Sequence, residues 1–179
     1  MLHQVEPLIP ALRRYARALL REQAAADDLV QDCLEKVITY WDSRRSNDDT
    51  RSWVFAILHN LAVTALRRRA GGLGMHVALE DIDESLLASR ATQEDTLRYR
   101  DLMNALDALP ADQRSILLLV SVEDMSYADA ARVLDIPIGT VMSRLSRARE
   151  KLSRIMETGV ANVANATAAA TKPALRRVK

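Results

Sequence analysis

Aliphatic residues recur every three or four positions through most of this chain, a spacing that matches one face of an α-helix. The clearest case lies towards the C-terminal end and consists of Val141, Leu145, Ala148, Leu152 and Ile155. The opposite face of the same segment is polar and largely basic, and includes Thr140, Ser143, Arg144, Arg147, Lys151 and Arg154. The pattern predicts one amphipathic helix that begins near Thr140, after Pro137 and Gly139, and ends near Gly159.

The same spacing predicts three helices in the first 70 residues. They cover residues 8–20, 25 to about 41, and 50 to about 69, and the polar segment DSRRSNDD separates the last two. The predicted core stripe of the third helix consists of Trp53, Ile57 and Leu61. A second run of helical pattern extends from residue 97 to about residue 157.

A short helix is predicted directly before the basic one, in the segment MSYADAARVLDIPI. Ser126 and Asp129 have the spacing of a capping box at its start. Its predicted buried edge consists of Tyr127, Ala128, Ala131 and Leu134. A short helix, a tight turn and a basic second helix have the layout of a helix-turn-helix, whose second helix enters the major groove of DNA.

These elements divide the chain into four parts. Residues 1–70 and 97–157 are predicted to form two small helical domains, and residues 71–96 an acidic flexible linker between them. Residues 158–179 are rich in Ala, Asn and Thr without helical spacing, and are predicted to be a disordered tail. The predicted fold class is therefore all-α, with two small helical domains joined by a flexible linker.

Composition agrees with a helical fold, and the absence of long apolar runs bears on the cellular location of the protein. Hydrophobic residues make up 49% of the chain but aromatic residues only 4%, and five glycines and five prolines leave little room for a turn-rich β-fold. No apolar run approaches the roughly 20 residues of a membrane span, and no signal peptide is evident. We therefore expect a cytoplasmic protein without membrane insertion. Its single cysteine, Cys33, is expected in the core.

Charge is balanced overall, at +1, but unevenly distributed. Residues 101–135 hold 2 basic and 7 acidic side chains, whereas residues 139–156 hold 5 basic and 1 acidic. This contrast suits a unit that turns one face towards a polyanion. A basic amphipathic helix can also be a solvated surface, a membrane-surface helix or a partner-binding helix. The lack of Trp and Phe on its apolar edge disfavours the membrane.

Motifs of enzyme chemistry are not recognisable in the sequence. The acidic stretch EDIDES contains Glu80, Asp81, Asp83 and Glu84, but the order of these residues does not match a calcium-binding loop. There is no Walker loop, no dinucleotide-binding glycine turn and no nucleophile motif. We therefore predict a protein that is not an enzyme and has neither a metal site nor a cofactor.

Several motifs, in order, resemble those of extracytoplasmic-function (ECF) sigma factors. The segment LPADQRSILLLVSVEDMSYADAARVLDIPIGTVMSRLSRAREKL, residues 109–152, resembles the fourth conserved region of that family. ADDLVQDCLEKVITYW is similar to the polymerase-binding stretch of the second region, and RSWVFAILHNLAVTALRRR to its promoter-melting and minus-ten-reading helix. The matches span most of residues 10–155. They imply a promoter-specificity subunit of bacterial RNA polymerase.

The resemblance assigns three groups of site residues. Binding to core polymerase is implied for Asp28, Gln31, Asp32 and Glu35. Minus-ten DNA binding is implied for Arg45, Asn47, Trp53, Asn60, Thr64, Arg67 and Arg68, with Asn60 in the pocket for a flipped base. Minus-thirty-five binding is implied for Thr140, Ser143, Arg144, Arg147 and Lys151. Met142 stands where the family usually carries Arg or Lys.

The implied partners are core RNA polymerase, through the clamp helices of its largest subunit and its flap, promoter DNA, and an anti-sigma factor. Two other functions stay open at this point. A stand-alone helix-turn-helix regulator would leave the whole first unit unexplained. A sigma mimic that titrates an anti-sigma factor is disfavoured by the retained Asn60, Arg144 and Arg147.

Overall fold

Helices account for all the regular secondary structure in the residues that the computed structural model describes, 2–44, 49–71 and 93–170. In chain order they are α1 (Leu2–Val5), α2 (Ile9–Leu20), α3 (Gln23–Tyr40), α4 (Thr50–Gly71), α5 (Gln93–Asp107), α6 (Ala111–Ser121), α7 (Tyr127–Leu134) and α8 (Ile138–Ala170). Short 3₁₀ turns at Glu6–Leu8 and Trp41–Ser43 follow α1 and α3. The predicted all-α fold is confirmed.

The N-terminal half of the chain is a bundle of α2, α3 and α4. Its largest fully buried side chains are Tyr15 on α2 and Phe55 on α4, whose rings meet edge to face with 5.6 Å between centroids. That geometry suits two aromatic quadrupoles in a core. Cys33 on α3 is also fully buried, and burial raises the pKa of its thiol to about 12. Its predicted place in the core is confirmed.

Helix α4 buries a different stripe from the predicted one. Its fully buried hydrophobic side chains are Val54, Phe55, Leu58 and Ala62. The predicted stripe of Trp53, Ile57 and Leu61 is only half-buried. The difference arises because α4 packs against α2 and α3 on one side and against α7 of the C-terminal half on another.

Helices α6, α7 and α8 form the predicted helix-turn-helix unit. Ser126 caps α7 as predicted, because its Oγ accepts a hydrogen bond from the Asp129 amide at 3.1 Å. Helix α7 ends at Leu134 and is capped by Asp135, whose φ of 52° lies in the left-handed region. The buried residues of α7 are Ala130 and Val133, and the predicted Ala128 is exposed. Contact with α4 again explains the difference.

Helix α8 is longer than predicted at both ends. It begins at Ile138, and the amides of Thr140 and Val141 donate to the carbonyl of Pro137 at 2.8 and 3.1 Å. It continues through Gly159 to Ala170, so residues 158–170 of the predicted disordered tail are helical. Six of the ten residues 161–170 are alanine, the strongest helix former, and they offset the single glycine at 159. Residues 171–179 lie outside the described residues.

The hydrophobic core runs through both halves, which pack directly against each other. Helix α2 contacts α6, and α4 contacts α7. The buried cluster includes Leu12 and Leu58 from the N-terminal half together with Ile116 and Leu145 from the C-terminal half. Residues 72–92, which make up most of the predicted linker, lie outside the described residues, and the last four residues of that linker belong to α5.

A buried carboxylate joins the two halves. The side chain of Glu123, between α6 and α7, is 1% exposed, and its two oxygens accept bonds from Arg14 on α2 at 2.9 and 2.8 Å. Arg51 on α4 lies 3.7 Å from the same carboxylate and donates to the Glu123 carbonyl. We refer to Glu123, Arg14 and Arg51 as the Glu123 cluster. A bidentate arginine contact is geometrically specific, so the cluster fixes how the halves are oriented.

Candidate nucleic-acid interface

The predicted polymerase-binding residues of α3 lie on its exposed face. The exposed side chains are Asp28, Gln31, Asp32 and Glu35, and they lie opposite the buried residues of the helix. Gln31 donates a hydrogen bond to Glu35 at 3.3 Å. Ile38, three residues beyond Glu35, is 60% exposed and was not singled out in the sequence. Exposed carboxylates beside an exposed aliphatic side chain suit a basic protein surface with an apolar patch.

The predicted minus-ten residues of α4 lie on one side of that helix. The exposed members are Asn60, Thr64, Arg67 and Arg68. The Thr64 hydroxyl donates to the Asn60 carbonyl at 2.8 Å, a bond that fixes Thr64 along the helix. The Asn60 side chain can both donate and accept hydrogen bonds, as recognition of an unstacked base requires.

Trp53 belongs to an aromatic pair near the start of α4. Its ring meets that of Trp41 edge to face at 6.1 Å, and the Arg44 guanidinium lies 4.8 Å from the centre of the Trp41 ring. Asp49 fixes the start of α4 by accepting bonds from the Ser52 amide and hydroxyl at 3.1 and 2.8 Å. Aromatic rings and a guanidinium provide surfaces on which bases stack. The predicted Arg45 and Asn47 lie outside the described residues.

The predicted minus-thirty-five residues of α8 fall into two groups. Ser143 and Arg147 are exposed at the centre of the polar face. Thr140, Arg144 and Lys151 are half-buried, on the side that faces α6 and the N-terminal half. Arg144 forms an ion pair with Asp112 of α6 at 3.3 Å. Ser143 and Arg147 are therefore open to DNA, whereas Arg144 must leave Asp112 to reach it.

A groove between the two halves brings together residues of both predicted DNA surfaces. Its volume is about 490 Å³ and its walls are largely apolar. The lining includes His59, Val63 and Arg67 from α4 and Asp112, Ile136 and Arg144 from the C-terminal half. Arg67 and Arg144 were assigned to different promoter elements, yet they line one groove. The sequence contained no signal for this proximity, which depends on packing between distant segments.

His59 is held neutral at the edge of this groove. Its Nδ1 lies 3.1 Å from the hydroxyl of Tyr15. Burial lowers the pKa of His59 to about 4 and raises the pKa of Tyr15. Both groups therefore stay uncharged near pH 7, and His59 adds no positive charge to the groove.

We expect the free energy of unfolding to fall as the pH drops from about 6.5 to about 4. Over that range the unfolded chain binds a proton at His59 that the folded chain does not bind. Across the whole range this difference lowers the free energy of unfolding by about 3 kcal/mol. Urea unfolding at several pH values should show a shallower dependence for His59→Gln than for the parent. The exposed His3 provides the control, since His3→Gln should leave the slope unchanged. Equal slopes for His59→Gln and the parent would contradict the prediction.

Metal ligands do not cluster in the part of the chain that the structure describes. No three side chains of His, Cys, Asp or Glu come together there as a potential metal site. The acidic stretch Glu80 to Glu84 lies outside that part. Among the helices of the described residues, none is both long and apolar enough to cross a membrane.

Known families match both halves of the chain. The profile described as "Sigma2 domain of PhyR" matches residues 5–59, and "Sigma-70, region 4" matches residues 99–152. The chain is 37% identical to the ECF RNA polymerase sigma factor EcfG of Rhodopseudomonas palustris, over 83% of this chain and 80% of that protein. The two profiles cover α2, α3 and the first part of α4, and then the helix-turn-helix, in the same order as the sequence motifs.

Solved structures share the arrangement. The sigma factor RpoE of Bartonella quintana, in complex with the anti-sigma factor NepR, is 31% identical, with a TM-score of 0.72 over 87% of this chain and 95% of that one. The PhyRSL–NepR complex from Sphingomonas sp. Fr1 contains a chain that is 20% identical, with a TM-score of 0.61 over 99% of this chain and 95% of that one. At 20% identity the second likeness shows the fold alone.

Proposed function

This chain belongs to the ECF family of RNA polymerase sigma factors, and we propose that it directs core polymerase to a dedicated promoter set and helps to open the minus-ten region. The observation that carries the proposal is the pair of exposed polar helix faces. One includes Asn60 on α4, and the other includes Ser143 and Arg147 on α8. A sigma subunit needs one surface for an opened strand and another for duplex DNA.

The acidic face of α3 is the proposed docking surface for the clamp helices of the largest polymerase subunit. Asp28, Asp32 and Glu35 supply exposed negative charge, and Ile38 supplies an apolar contact at the end of the same surface. Opposite charges across an interface accelerate encounter and fix the register of the partners. Contact with the polymerase flap is proposed for the C-terminal half.

The start of α4 is the proposed site for the opened minus-ten strand. Asn60 hydrogen-bonds a flipped base, and the Trp41–Trp53 pair with Arg44 offers stacking surfaces about two helical turns before it. Arg67 and Arg68, further along α4, bind the phosphate backbone. Arg45 and Asn47 are proposed to complete this site.

The first turns of α8 are the proposed reader of the minus-thirty-five element. Ser143 and Arg147 contact base edges, because residues near the start of a recognition helix reach the floor of the major groove. Thr140 and Lys151 contact phosphates. Arg144 joins the interface after it leaves Asp112.

The other proposed properties follow from this role. Phosphodiester chemistry belongs to the polymerase, so we propose that the chain is not an enzyme and needs no cofactor of its own. The cytoplasm, where the bacterial polymerase works, is the proposed location. The RpoE relative was solved with an anti-sigma factor, which supports an anti-sigma factor as a partner of this chain as well.

A sigma mimic is the second candidate function. The match of residues 5–59 to the sigma2 domain of PhyR favours it, because a PhyR from Bartonella quintana is described as an anti-anti-sigma factor. The identity of 37% to a sigma factor over most of both chains favours the first function. The two functions differ in whether the chain supports transcription.

Transcription with core polymerase tests the proposed function. The purified chain is added to sigma-free bacterial core polymerase and fragmented genomic DNA, and the transcripts are sequenced. Start sites that share upstream motifs at a fixed spacing are the expected result. Binding to an anti-sigma factor without any promoter-directed transcription would instead support the mimic.

Asn60→Ala is expected to impair promoter opening more than binding to core polymerase. Loss of the hydrogen bonds to an extruded base should destabilise the open complex by roughly 1–3 kcal/mol, which lowers its population by about 5- to 150-fold. Permanganate reactivity of the minus-ten thymines measures opening, and co-purification measures binding to core. Asn104→Ala, at an exposed asparagine on α5 outside the assigned surfaces, is the matched control. Equal permanganate reactivity for Asn60→Ala and the parent would contradict the assignment of Asn60 to the minus-ten site.

A further inference from the structure

Two large apolar side chains are exposed on the first turns of the recognition helix α8. Ile138 is 48% exposed and Met142 is 51% exposed. Residues four positions apart are neighbours on a helix surface, so the two side chains form one patch, here called the Ile138–Met142 pair. A Cβ placed on Gly139, between them in sequence, would meet nothing within 4 Å. This end of the helix is therefore open.

Core packing does not account for the pair. The buried edge of α8 consists of Val141, Leu145 and Ala148, whereas Ile138 and Met142 lie to one side of that edge. Contact between the halves does not account for it either. Arg144, which faces the groove and binds Asp112, lies on the opposite flank of the helix from Met142.

The pair continues a polar and basic surface. On the same flank, Ser146 follows Met142 after one turn and Arg149 after two, and both are exposed. Ser143 and Arg147, at the centre of the polar face, are the next exposed side chains around the helix. An apolar patch surrounded by hydroxyl groups and guanidinium groups matches the major groove, in which the thymine C5-methyl is the apolar feature.

We propose that the Ile138–Met142 pair reads thymine methyl groups in the upstream promoter element. The inference rests on the proposed function, because it requires the start of α8 to enter the major groove. Met142 has an unbranched and adaptable side chain that can fit against a methyl group. A cation at this position would bind phosphate or guanine instead. The pair therefore gives this chain a preference for thymine over uracil at one or two positions.

Removal of single methyl groups from the DNA tests the inference. Upstream elements are selected from a randomised duplex pool with the chain bound to core polymerase, and each thymine of the preferred duplex is then replaced by deoxyuridine. At one or two positions the parent should lose about fourfold in affinity, as expected for one buried methyl group. Met142→Ala should bind the thymine and deoxyuridine duplexes equally at those positions. Met142→Leu, which keeps an apolar side chain, should retain the discrimination.

Arg147→Ala separates failure of this inference from failure of the proposed function. If Arg147→Ala loses at least tenfold in affinity while deoxyuridine has the same effect on the parent and on Met142→Ala, the helix reads DNA and the methyl contact is wrong. If neither variant alters binding to the selected duplex, α8 does not read the element and the proposed function fails with it. If Met142→Ala weakens binding to core polymerase and not to DNA, the pair contacts protein and the inference is overturned.

Discussion

Replacement of both Arg14 and Arg51 by methionine is expected to separate the two halves of the chain. The double substitution leaves the Glu123 carboxylate, which is 1% exposed, without a counter-charge. An unpaired buried charge of this kind destabilises the packed form by about 3–5 kcal/mol. Separation of the halves removes this penalty, because water then solvates the Glu123 carboxylate. We expect a larger radius of gyration by small-angle X-ray scattering and a lower free energy of unfolding in urea.

Two further variants make this result specific. Glu123→Gln should have a smaller effect, because it leaves two partly exposed arginines that water can solvate. Arg154→Met breaks the surface pair with Glu150, whose side chains are 70% and 66% exposed, and should cost less than 1 kcal/mol. A double variant with the radius of gyration and the stability of the parent would show that the Glu123 cluster does not hold the halves together.

Reversal of charge on α3 is expected to weaken binding to core polymerase by at least tenfold. Asp28→Lys with Asp32→Lys places two cations on the proposed docking surface, and juxtaposed like charges cost several kcal/mol at an interface. Both positions are exposed, so the fold should tolerate the change. Titration of labelled chain with core polymerase measures the loss.

A matched variant distinguishes docking from a general effect of charge. Asp101→Lys with Glu157→Lys changes the net charge by the same amount at exposed positions on α5 and α8. It should bind core polymerase like the parent, and both variants should keep their helicity by circular dichroism. Equal losses of affinity for core polymerase in the two variants would mean that binding depends only on net charge. The acidic face of α3 would then not be the docking surface.

The helices could be predicted because their signals are local. The spacing of Val141, Leu145 and Ala148 defines a buried edge whatever the partner, and the Ser126 cap involves residues three positions apart. The stripes of α4 and α7 were misplaced because each helix meets a second neighbour from the other half. Such a neighbour leaves no periodic mark within the helix itself.

In the candidate site, too, local features could be predicted and contacts between distant segments could not. Exposure of Asp28, Asn60 and Arg147 agrees with the polar faces that the sequence predicted. Glu123 was missed because its surroundings, SVED, resemble a solvated loop, and its partner Arg14 lies 109 positions away. Ile138 was missed because an isolated apolar residue after a proline resembles a buried helix start. In each case the deciding property was exposure, which depends on tertiary packing.

The direct packing of the two halves limits the length of DNA that the chain can span. Elements named minus-ten and minus-thirty-five are about 25 base pairs apart, or roughly 85 Å along B-DNA at 3.4 Å per pair. A folded body of 179 residues has a radius of gyration of only about 16 Å. Under the proposed function, the packed form therefore cannot touch both elements at once, and simultaneous binding to both requires the halves to separate. If the packed form outnumbers the separated form by about a hundred to one, apparent affinity falls by the same factor. Under the proposed function, the strength of the contacts between Glu123 and its two arginines then helps to set the concentration of this chain that promoter binding requires.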